Sequence, residues 1–314
     1  MKKIGVAVIG AGFWGRNHAR NFMDLSETEL LAVCDISLER AKAVAGQFHI
    51  DAYSDSRKLL KRRDIEAVTI CTWSTKLASE ALRALKAGKH VLVEKPMANT
   101  VRQARKLVDL AQKKERLLTV GFLMRFIPGV QRIKEGIEKE EIGTLVCATA
   151  KRVSRWPERT GDIGVIKDLA IHDIDIMRYL FNQDPIAVYA KAGALKHKFE
   201  DYAQIMLTFR EGKTAFIEAN WLTPYKIRKL IVTGSEAIMN LDYLTQEVTV
   251  ETAHQTLTPR YEQAEPLKLE LQHFAKCVTD NKKPMITGMD GLKALQIAEK
   301  TLVSARKCSA VRLE

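Results

Sequence analysis

The stretch that most constrains this chain is an apolar run, Ile4–Ile9, leading directly into Gly10-Ala-Gly12-Phe-Trp-Gly15. The run reads as a buried strand. The three glycines at this spacing permit a tight turn, close approach of backbone to a diphosphate, and close packing of a helix on the strand. A helical stretch, Trp14–Leu25, follows. A helix starting near Phe13 aims its free N–H groups at that diphosphate. A second strand, Leu30-Leu-Ala-Val-Cys-Asp35, ends in an acid at the place where a carboxylate hydrogen-bonds the ribose of NAD and repels the 2′-phosphate of NADP. No arginine follows Asp35 directly, and Arg40 is the nearest, so the pattern favours NAD over NADP.

The rest of the first half keeps the alternation a parallel sheet requires. Strands are expected at Ala67–Cys71, His90–Glu94 and Leu117–Gly121, and helices at Lys76–Ala87 and Val101–Lys114. Gly88 follows the first of these helices as a C-terminal cap, and Asn99 or Thr100 caps the second. After Phe122 the rhythm changes. A helix near Gly129–Lys139, a strand Thr144–Ser154, a polar Arg-rich loop Arg155–Lys167 and a helix Leu169–Phe181 are expected. Strand-like runs without long helices between them come next: Ile186–Ala194, Tyr202–Phe209, Thr214–Trp221, Ile227–Thr233 and Glu247–Glu251. Two late helices, Leu267–Thr279 and Met289–Arg306, complete the chain. The fold class is therefore an α/β Rossmann domain, residues 1–122, plus an α+β domain with a large, mostly antiparallel open sheet, residues 123–314. The C-terminal helix can pack back on the first domain. The open sheet face calls for a homo-oligomer, a dimer or tetramer.

Composition bounds the remaining classes. At 314 residues, 46% hydrophobic and 28% charged, the chain suits two ordinary globular domains. Met1-Lys-Lys before an apolar run has the outline of a secretion signal, but the glycine pattern occupies that run. With no apolar stretch of membrane-spanning length, no membrane span is expected. The five cysteines form no C-x-x-C pair, and Cys34, Cys71 and Cys147 sit in strand-like runs, as reduced core cysteines of a cytoplasmic protein do. No His/Cys spacing suggests a metal. The net charge of +12 falls mostly on the first 122 residues, on helical stretches such as Arg57–Arg63 and Lys113–Arg116. It reads as solvated helix faces rather than a nucleic-acid surface, because no aromatic-basic motif accompanies it.

Two further segments carry chemistry. Glu94-Lys95-Pro96 stands just past a parallel strand, where a doubly wound sheet places reactive groups. An ammonium there holds a substrate oxygen. In Lys167-Asp168-Leu-Ala-Ile-His172-Asp173-Ile-Asp175, Asp168 and His172 are spaced i, i+4, one face of a helix. A carboxylate beside an imidazole fixes its tautomer and suits it to take a proton from an alcohol. Asp175, at i+3 from His172, is a second candidate partner.

Together, Gly10–Gly15, Gly88-Lys-His-Val-Leu-Val-Glu94-Lys-Pro96, Asp168-x-x-x-His172 and Gly121-Phe-Leu-Met-Arg125-Phe-Ile-Pro128 resemble the glucose–fructose oxidoreductase / inositol dehydrogenase / rhizopine-catabolism family, over essentially the whole chain. The resemblance implies NAD(P)-dependent oxidation of a hydroxyl on a sugar or cyclitol. By the family pattern Lys95 polarises the oxygen, His172 takes the proton and Asp168 orients its partners. Cofactor contacts fall on Gly10, Gly12, Phe13, Trp14, Gly15, Asp35, Thr72, Trp73, Glu94 and Lys95. The family's Pro-x-x-x-His stretch after the third strand is replaced here by Cys71-Thr-Trp-Ser-Thr-Lys-Leu77, where Trp73 is expected to stack near the cofactor. The loop Arg152-Val-Ser-Arg155-Trp156-Pro-Glu-Arg159-Thr-Gly-Asp162 offers guanidinium forks and an aromatic plane. It looks like the branch acting on UDP-N-acetylglucosamine or its uronate at C3. Arg125, Arg155, Trp156, Arg159, Lys95, Asp168 and His172 are then the substrate contacts. Competing readings are an inositol or free-sugar dehydrogenase, a cleavage enzyme using NAD transiently, and a non-catalytic NAD-sensing regulator.

Overall fold

The computed structural model describes residues 3–156 and 162–313. It divides into two compact units, one comprising the chain up to Leu123 together with Glu265–Leu292, the other Met124–Ala264 with Lys293 onward.

The first unit is a doubly wound sheet. Its elements are β1 (Ile4–Ile9), α1 (Phe13–Asp24), β2 (Thr28–Cys34), α2 (Leu38–Phe48), β3 (Asp51–Tyr53), α3 (Ser56–Leu59), β4 (Ala67–Ile70), α4 (Ser74–Lys86), β5 (His90–Val93), α5 (Val101–Lys113) and β6 (Leu118–Val120). The strands lie in the order β3-β2-β1-β4-β5-β6, all parallel. Order reverses between β1 and β4, the point at which such sheets bind ligands beyond their carboxyl ends. The short β3 and the α2 crossover were not anticipated. Ser37 caps α2 by accepting the N–H of Arg40, and Thr100 caps α5 from Gln103. The basic stretch Arg57–Arg63 forms only a four-residue helix.

The chain enters the second unit within a single 3₁₀ turn, Leu123–Phe126, and continues through α6 (Pro128–Glu138) and β7 (Leu145–Arg155). A π turn at Ile166–Ala170 runs into α7 (Ile171–Phe181). Then come β8 (Ala187–Gly193), β9 (Tyr202–Thr208), β10 (Thr214–Asn220), β11 (Leu222–Gly234), β12 (Ala237–Asp242), β13 (Glu247–Thr252) and β14 (Thr256–Leu257). The chain returns to the first unit as α8 (Pro266–Asp280), whose Leu271 and Phe274 pack with Val6, Val8, Phe22 and Val33. It then crosses to the second along α9 (Gly288–Lys307), ending in β15 (Val311–Arg312).

The second sheet has nine strands in the order β14-β13-β12-β11-β7-β10-β9-β8-β15, antiparallel except for β10 against β7. One face buries Ala148, Ala150, Ile217, Leu230 and Val232, with α6 and α7 packed on the sheet. The opposite face exposes Val146, Phe216 and Ile231. Phe216 and Ile231 both pair with Thr149, so the two apolar side chains flank it in one row. The described cysteines are all free, and no helix among the described residues is long and apolar enough to cross a membrane.

Candidate functional site

In the first unit the glycine turn has the shape of a cradle. Gly10 adopts φ +106° and lies so close to Cys71 and Thr72 that a Cβ would meet their backbone. Only a residue without a Cβ serves there. At Gly15 a Cβ would fall 1.7 Å from the Gly10 carbonyl, which is how closely α1 docks on the turn. Gly12 differs: a Cβ there would meet nothing within 4 Å, and no side chain caps the helix it opens. Space and bare N–H groups coincide at that point, which fits a dinucleotide diphosphate. Phe13 is exposed and meets Trp14 edge-on, while Trp14 packs against the core.

Asp35 stands one residue past β2. Its Oδ2 accepts the Ala11 N–H at 2.8 Å and its Oδ1 the Ser37 N–H at 2.9 Å. The carboxylate is thus fixed beside the glycine turn. Arg40 donates to the same Oδ1 through Nε and Nη2. Burial pushes Asp35 up, but the hydrogen bonds from Arg40, Ala11 and Ser37 outweigh it and hold the acid below its usual range. The sequence reading treats Arg40 as too far along the chain to matter, yet one turn of α2 brings it onto Asp35.

At the end of β5, Glu94 is 5% exposed. His18 of α1 donates from Nε2 to Glu94 Oε1 at 3.0 Å, and the Lys95 N–H reaches Oε2 at 3.3 Å. Gly121 leaves room for this carboxylate, since a Cβ would lie 3.0 Å from Oε2. Glu94 is therefore an internal anchor that fixes the backbone carrying the half-buried Lys95. His18, fully buried, is a site residue that the sequence reading passes over. Its one signal is the helical spacing Gly15, His18, Ala19, Phe22, all buried. Thr72 is half-buried beside Gly10, and Trp73 is 63% exposed at the start of α4.

In the second unit Asp168 lies within the π turn and His172 in the first turn of α7. The regular α-helical stacking expected of the i, i+4 pair is thus replaced by a wider turn, a device common at functional sites. His172 is buried, and Asp173 and Asp175 are fully so. Asp175, the second candidate partner of His172, takes the Arg125 fork at 2.8 and 2.6 Å. Asp173 takes the Arg152 fork at 2.7 and 2.8 Å. These bidentate pairs fix α7 from both sides. Arg125, expected to meet substrate, is 4% exposed and committed to this brace.

Arg155 donates to the Pro224 carbonyl at 2.6 Å, Trp156 stacks on His197 with its edge towards Trp221, and Arg159 lies outside the described residues. Arg228, Lys226 and Tyr243, which the sequence reading does not name, gather near Arg152. Burial and the repulsion of Arg152 lower Arg228 to about 10, and burial holds the Tyr243 phenol well above its ordinary value.

Residues 4–122 match an oxidoreductase family with an NAD-binding Rossmann fold, GFO/IDH/MocA, and residues 130–240 match the C-terminal domain of that family. An uncharacterized oxidoreductase of Bacillus subtilis, YrbE, is 32% identical over 321 residues, covering 95% of this chain and 93% of its own. The scyllo-inositol 2-dehydrogenase (NAD(+)) of the same organism is 28% identical, covering 99% and 97%. Among solved structures, the UDP-N-acetylglucosamine 3-dehydrogenase of Acidithiobacillus ferrooxidans superposes with a TM-score of 0.90 at 26% identity, covering 98% of this chain and 99% of that one.

Proposed function

Since the chain belongs to the GFO/IDH/MocA family of oxidoreductases and carries its NAD-binding Rossmann fold, we propose that it oxidises a secondary hydroxyl of a sugar, most naturally a nucleotide sugar such as UDP-N-acetylglucosamine or its uronate at C3. The observation that carries this reading is the pairing of a ready dinucleotide cradle with an anchored ammonium and a braced imidazole on one chain.

Gly10, Gly12, Gly15 and the first N–H groups of α1 would hold the diphosphate of NAD, and Asp35 its ribose hydroxyls. When bound, NAD supplies the hydride acceptor. The chain's own residues manage the proton and the geometry. Lys95, its backbone fixed by Glu94, hydrogen-bonds the substrate oxygen and stabilises the negative charge that grows there. His172 takes the hydroxyl proton, and Asp168 orients the groups around it. The Arg125–Asp175 and Arg152–Asp173 pairs keep α7, and hence the imidazole, from shifting, which matters because a small misplacement of a catalytic group is costly.

An inositol or free-sugar dehydrogenase is the second reading, favoured by the scyllo-inositol relative. The exposed row of Phe216 and Ile231 supports a homodimer or homotetramer built on that sheet face, in a cytoplasmic protein. The test is a screen of NAD reduction against UDP-sugars, free hexoses and inositols. Accumulation of NADH with UDP-N-acetylglucosamine or its uronate supports the first reading, and accumulation with inositols alone replaces it by the second. Product without NADH points to transient cofactor use, and silence throughout rejects a dehydrogenase.

A further inference from the structure

Across the buried face of the second sheet, one row of side chains is unlike its neighbours. Rows above it are apolar: Leu230 stands opposite Ala150, and Val232 opposite Ala148. One step along, Arg228 stands directly opposite Arg152. Tyr243 follows just past the end of β12, its N–H bonded to the Arg228 carbonyl at 3.0 Å. Like charges placed opposite each other across two strands repel. Arg152 is compensated, since its Nε and Nη2 fork onto Asp173 and the Tyr243 ring lies 5.1 Å from its guanidinium carbon. Arg228 is not compensated in this way. Its Nε is buried and has no hydrogen-bond partner among the described residues, and the same holds for the Tyr243 hydroxyl, on a residue 7% exposed.

Lys226, two residues before Arg228 on β11, is depressed by burial and by the repulsion of Arg228 and Arg152. Three cations therefore act on one another. Both oxygens of Asp173 already serve Arg152. A buried guanidinium nitrogen of Arg228 and the Tyr243 hydroxyl are left as donors without a hydrogen-bond partner among the described residues. Lys226 is exposed and Arg228 only half-buried, so the row opens to solvent at the Lys226 end.

We propose that Arg228, Tyr243 and Lys226 form a binding site for an oxyanion of the substrate, a carboxylate or a phosphate. A planar or tetrahedral oxyanion supplies acceptors for all three donors and offsets the repulsion among the cations. Because Arg152, which stands opposite Arg228, forks onto Asp173, the residue after His172, the site lies beside the segment that carries His172. The inference deepens the function proposed above and rests on it for the word substrate: the sugar oxidised carries a negative charge, as a sugar acid or a sugar nucleotide does.

The experiment is an equilibrium titration of the full chain, saturated with NAD, against UDP and D-glucuronate, with uridine and D-glucose as their uncharged counterparts. At least one of the two anions should bind tenfold or more tightly than its counterpart. A preference for UDP assigns the site to phosphate, and one for D-glucuronate assigns it to carboxylate. Arg228→Gln should abolish the preference, Arg228→Lys should keep part of it, and Lys226→Gln, on an exposed residue that folding tolerates, should reduce it several-fold. No anion preference in the wild-type protein, or one untouched by both Arg228→Gln and Lys226→Gln, overturns the proposal. NADH formation from a neutral sugar with no anion preference sinks this inference alone. Anion preference lost in Arg228→Gln, with no sugar oxidised, keeps the oxyanion site and sinks the reaction.

Discussion

Substituting Gly12 and Gly15 separately distinguishes a glycine kept for a ligand from one kept for the fold. Gly12 has φ −75° and ψ −163°, which alanine adopts without strain, and its added methyl would meet no protein atom within 4 Å. Gly12→Ala should therefore leave the ligand-free protein as stable as before, or more stable by about 0.4–1 kcal/mol, because the unfolded chain loses freedom. The same methyl would occupy the space read here as the diphosphate cradle. NAD affinity should fall at least tenfold, which is about 1.4 kcal/mol. Gly15→Ala should behave in the opposite way. Its methyl would lie 1.7 Å from the Gly10 carbonyl oxygen, a backbone atom that moves only with β1 and α1. Overpacking of this kind costs about 1–3 kcal/mol, a drop of several degrees in Tm for a domain of this size. Thermal unfolding without ligand and calorimetric titration with NAD read the two quantities independently. A Gly12→Ala protein that is stable and binds NAD as tightly as wild type would refute the assignment of the cradle.

Two other residues give separate tests. Asp35→Ser should raise the use of NADP relative to NAD by tenfold or more in steady-state assays, because it removes the repelling carboxylate while leaving Arg40 to meet a 2′-phosphate. An unchanged cofactor ratio would show that Asp35 does not read the ribose. His90 accepts the Leu117 N–H on Nδ1, and burial followed by the nearby Arg116 lowers it to about 4 from 6.5. Its unfolded form binds a proton first, so stability is full above about pH 6.5 and falls as pH drops towards 4, by on the order of 2–3 kcal/mol from this group. Denaturant unfolding across that window should show a slope that His90→Asn flattens, and an equal slope in both proteins would count against it.

Most of the alternation of the first unit was legible because β1, β4 and β5 are apolar runs and α4 and α5 are marked by Gly88 and Thr100, whereas α2 escaped although Ser37 caps it. The short β3, Asp51–Tyr53, escaped because it is three residues long and leaves none of them buried. The π turn escaped for a different reason. It uses the residues a helix would use, and only the backbone hydrogen bonds tell the two apart. Asp35, Glu94 and the Asp168–His172 segment stood out through local spacing. Their partners did not: His18 lies 76 residues from Glu94, and Arg125 lies 50 from Asp175. Arg228 carries no local signal at all, since its meaning comes from standing opposite a second arginine on another strand. In this chain the groups proposed to act on NAD and the hydroxyl are read from short motifs, whereas Arg228 and the groups that brace α7 come from pairings that only the folded backbone brings about.

In the proposed reaction Lys95 and His172 carry out the chemistry on a hydroxyl while the glycine turn and Asp35 hold NAD. The most direct test compares NADH formation by wild type, Lys95→Met and His172→Ala on the best sugar of the screen, with NAD binding measured on the same three proteins. Each variant should bind NAD within a few-fold of wild type and lose about 10²–10⁴ in kcat. Turnover in either variant at a tenth or more of the wild-type rate would contradict it.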